Sequence, residues 1–139
     1  MVVHVKLLVE SKAGAAREMV VLVNGGSHSP SPVLVVDEVD ADALGFKRGG
    51  ELREASTADS RRDVYVVRGA LRLKLLSEEG QVLSSTEADL VIHPGLEEPL
   101  ITDATIDALG IRVESFFKGL WRHVDDPPRL VRSSAARPS

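Results

Sequence analysis

Short apolar runs that alternate with polar residues commit most of this chain to β-sheet. Val3, Val5, Leu7 and Val9 alternate with His4, Lys6 and Leu8, and Leu71, Leu73 and Leu75 alternate with Arg72 and Lys74. A period of two puts one face into a core and the other toward solvent, which is the pattern of a half-buried strand. Ser11-Lys12-Ala13-Gly14 reads as a turn, so the chain opens with a hairpin whose second strand runs from Ala15 to Val23. Asn24 to Pro32 is a loop rich in Gly, Ser and Pro. Val33 to Val36 is a continuous apolar run, expected to be a buried strand. Asp37 is placed to cap a short helix, Glu38 to Leu44, which Gly45 ends.

Leu52 to Thr57 and Asp63 to Arg68 read as strands around the polar turn Ala58-Asp59-Ser60-Arg61. Another strand is expected from Val82 to His93, with a break near Ser84-Ser85. Thr102 is placed to cap a second small helix, Asp103 to Leu109, which Gly110 stops. Ile111 to Phe117 and Leu120 to Val124 are the last strands expected. About nine short strands and two small helices imply an all-β barrel or sandwich. Residues 1–125 form the domain, and the proline-bearing segment 126–139 is expected to be a mobile tail.

Composition narrows the function. A chain of 139 residues suffices for one domain, and a net charge of −4 gives no basic face for nucleic acid. Without cysteine there is neither a disulfide framework nor thiolate chemistry. The run Met1 to Glu10 is interrupted by His4 and Lys6 and reads as a strand rather than a signal peptide. With no run of about 18 apolar residues, no membrane span is expected, and the default location is the cytoplasm. His4, His28, His93 and His123 are too scattered for a zinc site, so no metal or cofactor is expected. His4 is read as a strand residue facing solvent. Phe116, Phe117 and Trp121 cluster near the C-terminus, as core or as a contact between subunits.

The chain also matches itself. Val35-Val36-Asp37-Glu38-Val39-Asp40-Ala41-Asp42-Ala43-Leu44-Gly45 is echoed by Leu100-Ile101-Thr102-Asp103-Ala104-Thr105-Ile106-Asp107-Ala108-Leu109-Gly110. Either a common helix ending occurs twice, or a unit of strand, loop, strand and helix is duplicated. Other residues carry less. Ser27-His28-Ser29 lacks an acidic partner for a serine nucleophile. Asp103 with Asp107, and Asp37 with Asp40 and Asp42, read as solvated helix faces. Gly25-Gly26 is not followed by the Gly-Lys-Ser/Thr of a phosphate loop.

Three motifs in order resemble the retropepsin-like aspartic proteases. Val20-Val21-Leu22-Val23-Asn24-Gly25-Gly26-Ser27 is similar to the apolar strand ending Asp-Thr/Ser-Gly-Ala/Ser. Thr57-Ala58-Asp59-Ser60 is similar to the flap tip, and Leu100-Ile101-Thr102 with Ile106-Asp107-Ala108-Leu109-Gly110-Ile111 to the second-half motif. The resemblance spans Met1 to Val124. It implies a closed β-barrel with two short helices, one half of a homodimer. It also implies a site built from Asn24, Gly25 and Gly26, with Ser27, Thr57, Ala58, Asp59 and Ser60 against an extended peptide. Three positions depart from the family: Asn24 for its aspartate, Gly25 for its bracing threonine or serine, and Thr102 for its glycine.

The first departure alters the chemistry. Two carboxylates about 3 Å apart share a proton, so one acts as acid and the other as base. An asparagine amide has no proton to lose near neutral pH. As encoded, the site is expected to bind extended peptide without cutting it. Asn24 is the only asparagine of the chain, and Asn-Gly is the pair most prone to deamidation, which would return a carboxylate and an active endopeptidase. The plainer account is that Asn24 and Gly25 suit a turn needing positive φ. An unrelated small β domain used for assembly is the remaining alternative.

Overall fold

The structure is a computed structural model that describes the backbone of residues 2–46, 51–56 and 61–136, and the side chains of all of these except 51–56 and 61–63. Its elements are β1 (His4–Ser11), β2 (Ala16–Val23), β3 (Val33–Val36), α1 (Glu38–Ala43), β4 (Glu51–Ser56), β5 (Arg61–Leu76), β6 (Val82–Ile92), β7 (Leu100–Ile101), α2 (Asp103–Ala108), β8 (Ile111–Ser115), β9 (Leu120–His123) and β10 (Arg132–Ser133).

Six strands close into a barrel in the order β1-β2-β7-β3-β6-β5, because β5 pairs back onto β1 from Lys6↔Leu76 to Ser11↔Leu71. Closure gives every one of these strands a neighbour on both sides over part of its length, as with β2, which pairs β1 along its length and β7 at Leu22 and Val23. The interior is aliphatic, as so few aromatics require. Leu7, Leu34, Leu71, Leu73, Leu75, Leu90 and Ile101 are fully buried, each stabilising the fold by about 1.5–3 kcal/mol. The alternation in β1 and in the second part of β5 sends these leucines inward and Lys6, Arg72 and Lys74 outward.

Two expected strands are one. β5 runs unbroken from Arg61 to Leu76, with a register shift against β6 between Val67 and Leu71. Gly69, at φ +60°, makes the kink, and its N–H donates to the Asp89 carboxylate at 2.7 Å. The first part of β5 pairs with β4, outside the barrel, and the second part closes it. β6 is one strand through Ser84-Ser85, with a register shift against β5 between Leu75 and Leu76 opposite Ser84 and Val82, and the Ser84 hydroxyl donates to the Leu109 carbonyl at 2.6 Å.

The repeat seen in the sequence is a repeat in space. β3 and β7 run antiparallel with Val35 opposite Leu100, its own counterpart. Each leads into a helix, and each has a parallel neighbour on its other side, β6 for β3 and β2 for β7. The hairpins that feed those neighbours also match. Ser11 N–H bonds the Ala15 carbonyl at 2.8 Å, as Ser77 N–H bonds that of Gln81 at 2.8 Å. Gly14 and Gly80 both bond back to the serine and both take positive φ. The duplicated unit therefore spans hairpin, turn, strand and helix, well beyond the matching helix endings.

The two helix starts differ. Asp37 caps α1 by accepting from Asp40 N–H at 2.9 Å. Thr102 holds the N-cap position of α2 but makes no side-chain cap. Its hydroxyl is used elsewhere, as described below.

The segment expected to be a tail from residue 126 is built into the fold over its described part, 126–136. β10 pairs with β9, Ala135 N–H donates to the His4 carbonyl at 2.8 Å, and His4 N–H donates to Ser134 Oγ at 2.8 Å. This cover also corrects the reading of His4, which is buried, with Nε2 2.6 Å from the Glu98 carboxylate. An ion pair adds to these backbone bonds. Arg132 gives two hydrogen bonds of 2.8 Å to Asp126, which also accepts from His123 N–H at 2.8 Å. A two-pronged pair of this kind is among the stronger surface interactions. The guanidinium stands 5.7 Å from the centre of the buried Trp121 ring, close enough for cation–π attraction. Proline content implies mobility; the strand pairing, the bonds to His4 and the Arg132–Asp126 pair override it.

Those bonds from Arg132 hold the Asp126 carboxyl below its ordinary 3.8. A lowered folded value means the pair stabilises fully above the ordinary value, and that its contribution fades as pH falls through the lowered one. Trp121 is the only tryptophan, so its fluorescence reports on the clasp. A red shift is expected as pH falls below about 4. Asp126→Asn should show that shift already at neutral pH. Identical acid titrations of the two proteins would contradict the assignment.

Candidate functional site

Two equivalent turns leave the barrel where the duplicated strands end. β2 and β7 are parallel, pairing Leu22 with Leu100 and Val23 with Ile101. Asn24 continues the ladder, its N–H donating to the Ile101 carbonyl at 3.2 Å. Its own carbonyl accepts from Ser27 N–H at 3.1 Å, and Gly26 sits at φ +89°. Left-handed backbone at the third residue, with a bond from first to fourth, describes a type II turn. In the other half His93 N–H donates to the Val36 carbonyl at 2.7 Å, Leu96 N–H to the His93 carbonyl at 3.1 Å, and Gly95 sits at φ +81°. Asn24-Gly25-Gly26-Ser27 and His93-Pro94-Gly95-Leu96 are thus counterparts.

This geometry corrects the positive-φ account of Asn24 and Gly25. The left-handed position is Gly26, whereas Gly25 does not have positive φ. Its counterpart is Pro94, whose ring fixes φ near −65°, the value this position takes in a type II turn. What does crowd Gly25 is the hairpin between β8 and β9. A Cβ at residue 25 would lie 3.1 Å from Phe116 Cζ. The Phe116 ring thus fills the space a side chain at residue 25 would enter. Phe116 and Phe117 remain 45% and 73% exposed, while Trp121 is core.

The turn is tied to the second half of the chain by polar contacts. Gly26 N–H donates to Asp103 Oδ1 at 2.9 Å, and Asp103 N–H donates to the Ser27 carbonyl at 2.9 Å. Behind them Ser29 Oγ and Thr102 Oγ1 lie 2.6 Å apart, and Thr102 and Thr105 hydroxyls 3.4 Å apart. Thr105 Oγ1 accepts from Val33 N–H at 2.8 Å and donates to the Val33 carbonyl at 2.7 Å. Thr102 and Thr105 are buried, so these bonds keep their hydroxyls from being stranded. The buried Thr102 hydroxyl is accommodated because Ser29 receives it.

Asn24, Gly25, Gly26 and Ser27 are therefore brought together, on one side of the parallel β2–β7 pair. Asn24 is half-buried and its side-chain amide has no hydrogen bond among the described residues. Thr57, Ala58, Asp59 and Ser60 lie outside the described residues; β4 and β5 pair on either side of them, down to Ser56↔Arg61. An open groove of about 830 Å³ adjoins the second turn, lined by Val39, Phe46, Tyr65, Ile92 and Pro94 with Glu38 and Asp42 at its rim. Asp103, Ser29, Thr105 and Phe116 were not foreseen as site residues. In the sequence Asp103 reads as a solvated helix face and Phe116 as core or a subunit contact, and neither reading places them at this turn.

Among the described residues no group of three His, Cys, Asp or Glu is arranged to hold a metal ion, and no helix is long and apolar enough to cross a membrane. No protein-family model matches the chain, and neither does any curated protein.

The two glycines should respond differently to a methyl group. Gly26→Ala forces an L side chain into left-handed backbone, at a cost of about 1–2 kcal/mol. Gly25→Ala gains from a less flexible unfolded chain, roughly 0.4–1 kcal/mol, against a small shift of the exposed Phe116 ring. Urea unfolding should therefore rank Gly26→Ala well below Gly25→Ala. Equal losses would overturn the turn assignment.

Proposed function

We propose that this chain is one half of a retropepsin-like homodimer that binds an extended peptide and, as encoded, does not hydrolyse it. The observation that carries the reading is the setting of Asn24. It ends a barrel strand, lies in a turn cross-braced to the second half of the chain by Asp103, and is a half-buried residue whose side-chain amide has no hydrogen-bond partner among the described residues. Such an amide suits an interaction completed from outside the subunit. The duplicated hairpin, turn and helix units around a closed six-stranded barrel support the same family.

In that arrangement each subunit brings Asn24 to the two-fold axis, and two amides there hold a water by hydrogen bonds without taking its proton. A peptide is held by strand addition beneath the β4–β5 hairpin, where backbone bonds supply affinity. The apolar groove beside Pro94 offers a recess for a side chain of that peptide. The Phe116 ring, packed on Gly25, replaces the family's hydroxyl brace by an aromatic contact.

Light scattering should return the mass of a dimer. Fresh protein should leave an unfolded substrate intact at mildly acidic pH. Asn24→Asp should restore an acid–base pair and raise cleavage by on the order of 10²–10⁴. A monomer at high concentration, or a dimeric Asn24→Asp protein that cuts nothing, would contradict the reading and favour an assembly domain.

A further inference from the structure

We propose that Asn24 is a self-modification site, converted to aspartate by deamidation through the backbone nitrogen of Gly25. Deamidation needs a side-chain amide free to rotate and a following nitrogen that is neither shielded by a side chain nor held in a hydrogen bond. All three conditions meet here. Among the described residues neither the Asn24 amide nor the Gly25 N–H makes a hydrogen bond, and Gly25 has no side chain and is exposed.

The fold does not otherwise demand this pair. The turn takes its left-handed residue from Gly26, and its counterpart in the other half carries Pro94 where Gly25 stands. The chain thus contains the same turn built without Asn-Gly. The Phe116 ring approaches the space beside Gly25, but it sits at an exposed hairpin tip and yields to a methyl group by a few tenths of an ångström. Of the two side-chain amides in the chain, Asn24 and Gln81, one lies at the residue that matters most to the site.

The step balances with water alone. Gly25 N loses its proton to solvent and bonds to Asn24 Cγ; the Cγ–Nδ2 bond breaks and ammonia leaves. Water then adds to Cγ of the cyclic imide, breaking its bond to Gly25 N and leaving an ordinary aspartate. Addition at the main-chain carbonyl carbon instead gives the isoaspartyl isomer, which does not restore the site. That aspartate supplies the carboxylate a shared-proton dyad requires, and this consequence rests on the retropepsin-like reading.

The test is peptide mapping of the full-length protein during incubation at neutral pH, with fragmentation that separates aspartate from isoaspartate. The expected result is a rising aspartate fraction at residue 24 with Gln81 unchanged, and proteolysis of an unfolded substrate that grows in step. Gly25→Pro has no N–H to attack with and keeps the turn, as Pro94 does. Asn24→Gln would need a larger ring. Both should stay unconverted. An intact amide in the folded protein, or isoaspartate alone, overturns the proposal even if Asn24→Asp is an active protease. Conversion to aspartate with an inert Asn24→Asp protein upholds the modification and removes the retropepsin-like reading instead.

Discussion

The antiparallel pairing of β3 with β7 in the middle of the barrel is the contact on which the rest depends. It puts Val35 opposite Leu100, so the two halves of the chain meet through equivalent residues. From that meeting follow the parallel partners, β6 and β2, and the two turns that continue them. Each strand of the pair also aims a short helix, and Leu44 and Leu109 sink fully into the core. Neither half buries its own apolar face; each does so against the other.

Around that frame the chain departs from its own symmetry at the turn after β2. The turn after β6 reads His-Pro-Gly-Leu, with a proline suited to its position. The turn after β2 reads Asn-Gly-Gly-Ser, with a residue at its second position that the backbone does not call for. The helix starts diverge in the same place. Asp37 caps α1, whereas Thr102 forgoes capping and binds Ser29 behind the Asn24 turn. Departures confined to one of two equivalent positions point to function, since folding alone is already met by the other copy.

Much of the fold was legible because strand signals are local. Alternation marked β1 and the inward leucines of β5, and turn residues marked the hairpins. The helix endings betrayed a duplication. Barrel closure was implied only by family resemblance, because the β1–β5 pairing joins segments far apart in sequence. Asn24 to Ser27 were identified from the resemblance, and their backbone setting was not. Positive φ belongs to Gly26 rather than to Gly25. Phe116 stood out only as part of an aromatic cluster, and nothing local in Ser29 or Thr105 shows that folding brings their hydroxyls to Thr102 and Val33. The final segment was misread because composition cannot show that Arg132 reaches Asp126 and Trp121.

The account turns on whether two copies of residue 24 meet. The chain has no cysteine, so Asn24→Cys creates a single thiol whose only disulfide is with another copy. A disulfide needs Cβ atoms about 3.5–4.5 Å apart, a stringent measure of convergence. Mild oxidation should link Asn24→Cys rapidly into covalent dimers, while Val82→Cys, exposed on the barrel at the start of β6, stays unlinked at the same concentration. Equal slow linking of both, or none at residue 24, would contradict a site shared between two subunits.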